Sequence, residues 1–122
     1  MTVLKIGIAT AEQYKARTMA IARGELKPGP NDPKVWFTSI ESVARVLSEK
    51  NRELLAVIAA EKPESLQALA ERTGRAKSNL SRTLKTMERY GLIRLERRSG
   101  RNLAPRTLAD SVSVDLPLGV AA

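Results

Sequence analysis

Residues 65–89 read SLQALAERTGRAKSNLSRTLKTMER, two short helical patterns separated by Gly74. In the first, Leu66, Leu69 and Ala70 recur at i, i+3 and i+4 and share one helical face. Ser65 is placed to cap that helix, because a serine hydroxyl accepts from first-turn amides that lack a carbonyl partner. Gly74 falls where the helix must stop, since glycine enters the left-handed region without a Cβ penalty. The second pattern puts Leu80, Leu84 and Met87 on one side and Ser78, Asn79, Arg82, Lys85 and Arg89 on the other. One face would anchor this helix in a core, and the other is free to enter a major groove, as in a helix-turn-helix. An ordinary helical hairpin with a solvated basic face has the same spacing, so the flanking sequence must decide.

Residues 87–106 read MERYGLIRLERRSGRNLAPR. Gly91 ends the helix, residues 92–97 read as a strand, and Ser99-Gly100 signals a tight turn before a second strand. A basic hairpin directly after a basic helix is what a winged helix-turn-helix requires. On these residues the resemblance is plain. Residues 51–106 resemble the winged-helix regulators of the MarR and ArsR type, through Leu66, Leu69, Ala70, Thr73-Gly74, SNLSR at 78–82, Leu84 and YGLI at 90–93. Within that group the chain is similar to a family of small DNA-binding proteins, some of which resemble antitoxins that repress their own operon. One departure matters. Such families often carry Ser or Thr at the N-cap of the recognition helix, where this chain has Ala76. Alanine accepts nothing from the free amides, a loss of about 0.5–2 kcal/mol. A DNA phosphate on those amides would replace the missing acceptor.

Charge supports a polyanionic partner. The 122 residues carry a formal net charge of +8, and the excess is concentrated. Residues 72–106 hold 11 Lys/Arg against 2 acids, whereas residues 1–71 hold 10 against 9, and residues 107–122 hold 2 acids and no base. Clustered cations release condensed counterions from nucleic acid, which is the sequence-independent part of DNA affinity. An anionic membrane is the competing polyanion, but the basic helix offers no broad Trp/Phe/Leu face beyond what a core would take. Single-stranded RNA is disfavoured by the scarcity of aromatics for base stacking.

The chain has no Cys and no His. Disulfides, thiol nucleophiles, the usual zinc sites and imidazole catalysis are thereby excluded. Glu41, Glu53 and Glu71 sit where a helix surface or cap explains them, and no paired constellation suggests catalysis. The expectation is a binding protein without a cofactor or metal, not an enzyme. No apolar run approaches membrane-spanning length, and MTVLKIGIAT lacks the layout of a secretory signal, so a cytoplasmic location is expected. With 43% hydrophobic residues the chain has the material for a core.

The order of elements follows from local signals. Residues 3–8 alternate, with Leu4, Ile6 and Ile8 on one side, and read as a strand. Thr10 and Gln13 stand at capping-box spacing ahead of a helix to about Arg23, with Tyr14, Thr18, Ile21 and Ala22 on one side. Three prolines in residues 27–33 (KPGPNDP) forbid regular structure there. A short strand, KVWF at 34–37, precedes a helix over 39–48 with Thr38 and Glu41 at capping-box spacing. Trp36 and Phe37 either fill the core or serve a subunit interface. Residues 51–61 form the next helix, with Leu54, Leu55, Ile58 and Ala59 as its inner stripe, and Pro63 breaks it. Leu54, Ile58, Leu66, Leu69, Leu80, Leu84 and Leu92 make the expected core. Pro105, lacking an amide, marks an edge strand. Val112, Val114, Leu116 and Leu118 alternate with polar residues as a further strand with one buried face. Three places are open to it: the hairpin, the N-terminal segment or a partner. Residues 118–122 are expected to fray.

The expected fold is α+β, mainly α: a winged helix-turn-helix in residues 49–122, including the C-terminal strand, and a small N-terminal β-α-β-α appendage in residues 1–48. The appendage is expected to serve a dimer or partner interface. The expected function is a dimeric repressor that binds duplex DNA. Asn79 suits bidentate contact to adenine and Arg82 to guanine. Ser78 and Ser81 suit base edges or phosphate, while Arg75, Lys77 and Lys85 suit phosphates. Arg97, Arg98 and Arg101 would reach the backbone or an adjacent minor groove. Arg89, Arg94 and Arg106 are read as solvated cations. The alternative is an antitoxin that neutralises a small toxin protein and represses its own operon.

Overall fold

The strand at the start of the chain becomes the centre of a sheet. In the computed structural model, which describes residues 2–118, β1 (Val3–Ile8) is flanked by two parallel neighbours, β2 (Val35–Phe37) and β5 (Ser111–Asp115). Leu4, Ile6 and Ile8 lie in register with Val112, Val114 and Phe37 respectively. These side chains share one face of the sheet, because cross-strand partners in register point the same way. The helices cover that face: Ile6, Phe37 and Val43 form a buried cluster, with Leu4, Val46, Leu47 and Tyr90 against it. The Phe37 and Tyr90 rings stack with centroids 4.0 Å apart.

The opposite face is shaped by Gly7 and Trp36, which are register partners. A Cβ on Gly7 would stand 2.5 Å from Trp36 Cζ3 and 2.9 Å from Pro33 Cγ. Glycine here makes room for an indole. Tyr14 of α1 (Ala11–Ala22) lies 6.0 Å from the same indole, centroid to centroid, and the Arg17 guanidinium lies 5.2 Å above it. Arg17 also bonds Asp32 at 2.9 Å, tying α1 to the proline-rich loop. Thr10 and Gln13 form the expected capping box. None of the α1 residues is buried.

The second helix differs in detail from the sequence reading. α2 (Ile40–Val46) is capped by Ser39, not Thr38: Ser39 has the extended backbone a cap needs, and its Oγ accepts from the Ser42 amide at 3.1 Å. The segment then breaks at Leu47. Ser48 caps α3 (Glu49–Glu61) by accepting from the Asn51 amide at 3.2 Å, so α3 starts two residues earlier than expected. Lys62 ends it in the left-handed region at φ 45°.

α4 (Leu66–Thr73) and α5 (Lys77–Arg89) follow, then the antiparallel pair β3 (Ile93–Arg97) and β4 (Leu103–Thr107). Leu54, Ile58, Leu69, Leu80, Leu84, Met87, Leu92 and Ile93 form one buried cluster. Of the expected core residues, only Leu66 is partly exposed. Leu4, Val46, Leu47 and Val112 touch both clusters, so the sheet and the helix–hairpin unit share a continuous core.

Two expectations are corrected by β5. Grouped with residues 49–122 in the sequence reading, it instead pairs along its whole length with β1 of the N-terminal segment. Its apolar side is also largely open: Val112 is half-buried, but Val114 is 38% and Leu116 43% exposed, and Leu118 is 88% exposed. The physical reason is position, for β5 is an edge strand with a paired neighbour on one side only among the described residues. The expected fraying of the C-terminus concerns mostly residues 119–122, which lie outside the described residues.

A candidate nucleic-acid interface

α4 and α5 are set by local chemistry. The Ser65 hydroxyl accepts from the Ala68 amide at 3.0 Å, and Gly74 closes α4 in the left-handed region at φ 74°. Two residues later α5 begins. Its N-cap, Ala76, has the extended backbone of a capping residue, but no side chain accepts from the first turn. That turn has no acidic residue and begins with Lys77. The N-terminus of α5 is therefore a cluster of amide donors with cations beside it, a setting that favours an anion.

Along α5, Leu80, Leu84 and Met87 are fully buried. Lys77, Ser78, Asn79, Arg82 and Lys85 are exposed, and Ser81 is half-buried. The outward edge of the helix thus holds two hydroxyls, one amide and three cations, while the inner edge is anchored in the core. Lys77, Arg82 and Lys85 make no ion pair among the described residues.

Arg75 and Asn79 do not act independently. Arg75 Nε and Nη2 both donate to Asn79 Oδ1, at 3.1 and 2.8 Å, and Nη1 donates to Asn51 Oδ1 at 3.3 Å. Asn51 is itself fixed, its Nδ2 donating to the Val46 carbonyl at 3.0 Å. Bidentate reading of adenine needs an amide oxygen as acceptor and an amide nitrogen as donor. With its oxygen already accepting two bonds, Asn79 reads adenine only if Arg75 swings away. In this arrangement Asn79 offers a donor, Nδ2.

The hairpin divides the basic residues into two groups. Arg97 and Arg101 are exposed and form no ion pair among the described residues. Arg98, by contrast, bonds Glu64 at 3.0 Å and Glu96 at 2.9 Å. Arg106 reaches Glu64 at 3.5 Å and donates to the Pro63 carbonyl at 2.8 Å. Arg94 pairs with Glu96. The Arg94 guanidinium, hydrogen-bonded to Glu96, holds that carboxyl below the usual carboxylate range. Arg98 and Arg106 therefore fasten the hairpin to the start of α4. Arg106, read from sequence as a solvated cation, is a structural tie. Arg89 lies over the Tyr90 ring at 5.7 Å.

The hairpin is also tied to α5: Glu88 accepts from the Leu95 amide at 2.9 Å. Asn51, Glu64 and Glu88 are the residues sequence reasoning missed. Asn51 and Glu64 act across 24 and 34 residues of chain, and no local pattern marks such contacts.

These observations define an α+β protein in which α5 and the β3–β4 hairpin each present basic residues at the surface. A family model, HVO_A0114, matches residues 46–114, more than half of the chain and the whole of both those elements. The chain belongs to the HVO_A0114 family. No curated protein and no solved structure matches it. Among the described residues, no group of His, Cys, Asp and Glu could hold a metal ion, and no helix is long and apolar enough to cross a membrane.

Proposed function

We propose that this chain is a dimeric, sequence-specific duplex-DNA-binding repressor. In this reading α3, α4, α5 and the β3–β4 hairpin act as a winged helix-turn-helix. The observation that carries it is the division of α5: a fully buried Leu80/Leu84/Met87 edge opposite an exposed Ser78/Asn79/Arg82/Lys85 edge. α5 enters the major groove by its N-terminal half, and a phosphate takes the uncapped amides of its first turn. Arg82 reads guanine, while Lys77 and Lys85 set register on phosphates. Arg75 serves first as a clamp on Asn79. On the hairpin, Arg97 and Arg101 reach the backbone or minor groove. Arg98 contributes less, because two carboxylates already hold it.

Selection of bound fragments from random duplex DNA, followed by titration against the selected and a scrambled duplex, tests the reading. Enrichment of one sequence is expected, with affinity falling steeply as salt rises, by a log–log slope of about −0.9 for each phosphate neutralised. Equal binding to selected and scrambled duplexes would overturn sequence-specific recognition.

A second, compatible role is favoured by α1, which exposes Tyr14 and Met19. An antitoxin would use such a face to cover a small toxin, with DNA binding as autoregulation. Co-expression with a co-transcribed neighbour tests this: a stoichiometric complex lost on Tyr14→Ala is expected, and absence of any complex would remove the role.

A further inference from the structure

The outer edge of β5 has no strand paired to it among the described residues. The phase of the sheet shows which backbone groups are free. The Ser111 amide reaches the Thr2 carbonyl at 3.4 Å, and on the far side of β1 the Lys34 amide reaches the Lys5 carbonyl at 3.0 Å. Alternate residues of a strand bond to alternate sides. Residues 111, 113 and 115 therefore bond to β1, and Val112 and Val114 turn their N–H and C=O groups outward, with Leu116 next in phase. Between residues 111 and 116 this edge carries a single charge, Asp115. Residues 111–116 contain no Lys, no Arg and no proline, the devices by which edge strands resist pairing. At the other edge of the sheet, β2 is only three residues long.

We propose that two copies of this chain join β5 to β5 antiparallel, about a two-fold axis at Val114, making one continuous six-stranded sheet. This deepens the dimer of the proposed repressor and rests on that reading only for the expectation of two-fold symmetry. Val114 then faces Val114 of the other copy, and Val112 faces the other copy's Leu116. Both pairs are hydrogen-bonded, since both use the outward residues. Pro117 falls opposite Ser111 in a pair without ladder bonds, so its missing amide costs nothing. A one-residue slip would set apolar side chains against Ser113 and Asp115.

A groove beside β5 fits the same arrangement. It has a volume of about 360 Å³ and is lined by Leu47, Leu55, Ala59, Asp110 and Val112, among others. In the Val114-centred register the other copy's Leu116 lands beside Val112 and its Leu118 opposite Asp110. The most exposed leucine of the chain thus enters an apolar groove, and by symmetry each copy fills the other's.

The chain has no cysteine, so single-cysteine variants report cleanly. Sedimentation at micromolar concentration should give a dimer for the native chain and a monomer, still folded by circular dichroism, for Val114→Lys and for Leu116→Asp. Under mild oxidation Val114→Cys should form a covalent dimer several-fold faster than Ser113→Cys, whose side chain is on the other face. A native monomer would overturn the proposal. So would a dimer that survives Val114→Lys, or equal cross-linking of both cysteine variants. Loss of DNA binding with the dimer intact would instead strike the repressor reading alone.

Discussion

Replacing Ala76 probes stability and binding at once. Ala76 already has φ −64° and ψ 139°, so Ala76→Asp introduces a capping carboxylate without moving the backbone. It supplies an acceptor where none exists, worth about 0.5–2 kcal/mol. Its charge meets the positive end of α5, which adds about 0.3–1 kcal/mol at an exposed site. A net gain of about 1–2 kcal/mol is expected. For a chain of this size that raises Tm by roughly 4–8 °C, and with an unchanged m value it shifts the urea midpoint by about 0.5–1 M. Denaturation of the free protein checks this arm. DNA binding should move the other way. The carboxylate occupies the amides proposed for a phosphate and repels it, so affinity should fall about tenfold on any duplex and the salt slope should flatten by about one. Ala76→Ser separates the effects, since it caps without charge and should stabilise with a smaller loss of affinity. No stabilisation from either substitution would refute the capping argument. Stabilisation with unchanged DNA affinity would refute the phosphate placement and leave the fold untouched.

Other outcomes follow from the same geometry. Arg82→Ala should cost about 1–3 kcal/mol on the selected duplex and relax its base preference, whereas Lys85→Ala should weaken all duplexes alike; uniform loss from Arg82→Ala would reverse its assigned role. Gly7→Ala drives a methyl into the Trp36 ring and Pro33 and should destabilise by about 1–3 kcal/mol, read as a lower urea midpoint; an unchanged midpoint would show that the indole moves freely. Leu84→Ala empties a fully buried site and should cost about 2–5 kcal/mol in the same assay. Stability should also fall in acid. Asp32 is held below the ordinary carboxylate range by the Gly29 amide and Arg17, and Glu96 by Arg94. Their contribution is present above the unfolded carboxylate range and is lost as pH falls through their lower folded values. Denaturation midpoints measured across that range check the sign, and Asp32→Asn should reduce the acid sensitivity.

Elements governed by neighbours in sequence were legible before any fold was known. Thr10 with Gln13, Ser65 ahead of Leu66, and Gly74 in the left-handed region each concern a bond or angle within a few residues. The Leu80/Leu84/Met87 stripe is equally local, because helical period alone puts those residues on one side. That stripe also made the exposed edge of α5 readable, and with it the candidate site residues. The misplacement of one cap, Ser39 for Thr38, shows the limit: adjacent hydroxyl residues offer nearly equal caps, and in the fold it is the Ser39 hydroxyl that accepts from the Ser42 amide.

What tertiary structure alone decided are the contacts between distant segments. The alternation of residues 111–118 declared a strand but not its neighbour, because a strand's hydrogen-bonding edges carry no sequence label. Only the fold sets it against β1 and leaves its outer edge open. Charge counts located the basic residues but could not say which cations are free: Glu64 reaches Arg98 and Arg106, and Asn51 reaches Arg75, only after the chain has closed on itself. Short-range bonds are fixed by covalent proximity, whereas the partner of a strand edge or a guanidinium is chosen by packing of the whole chain.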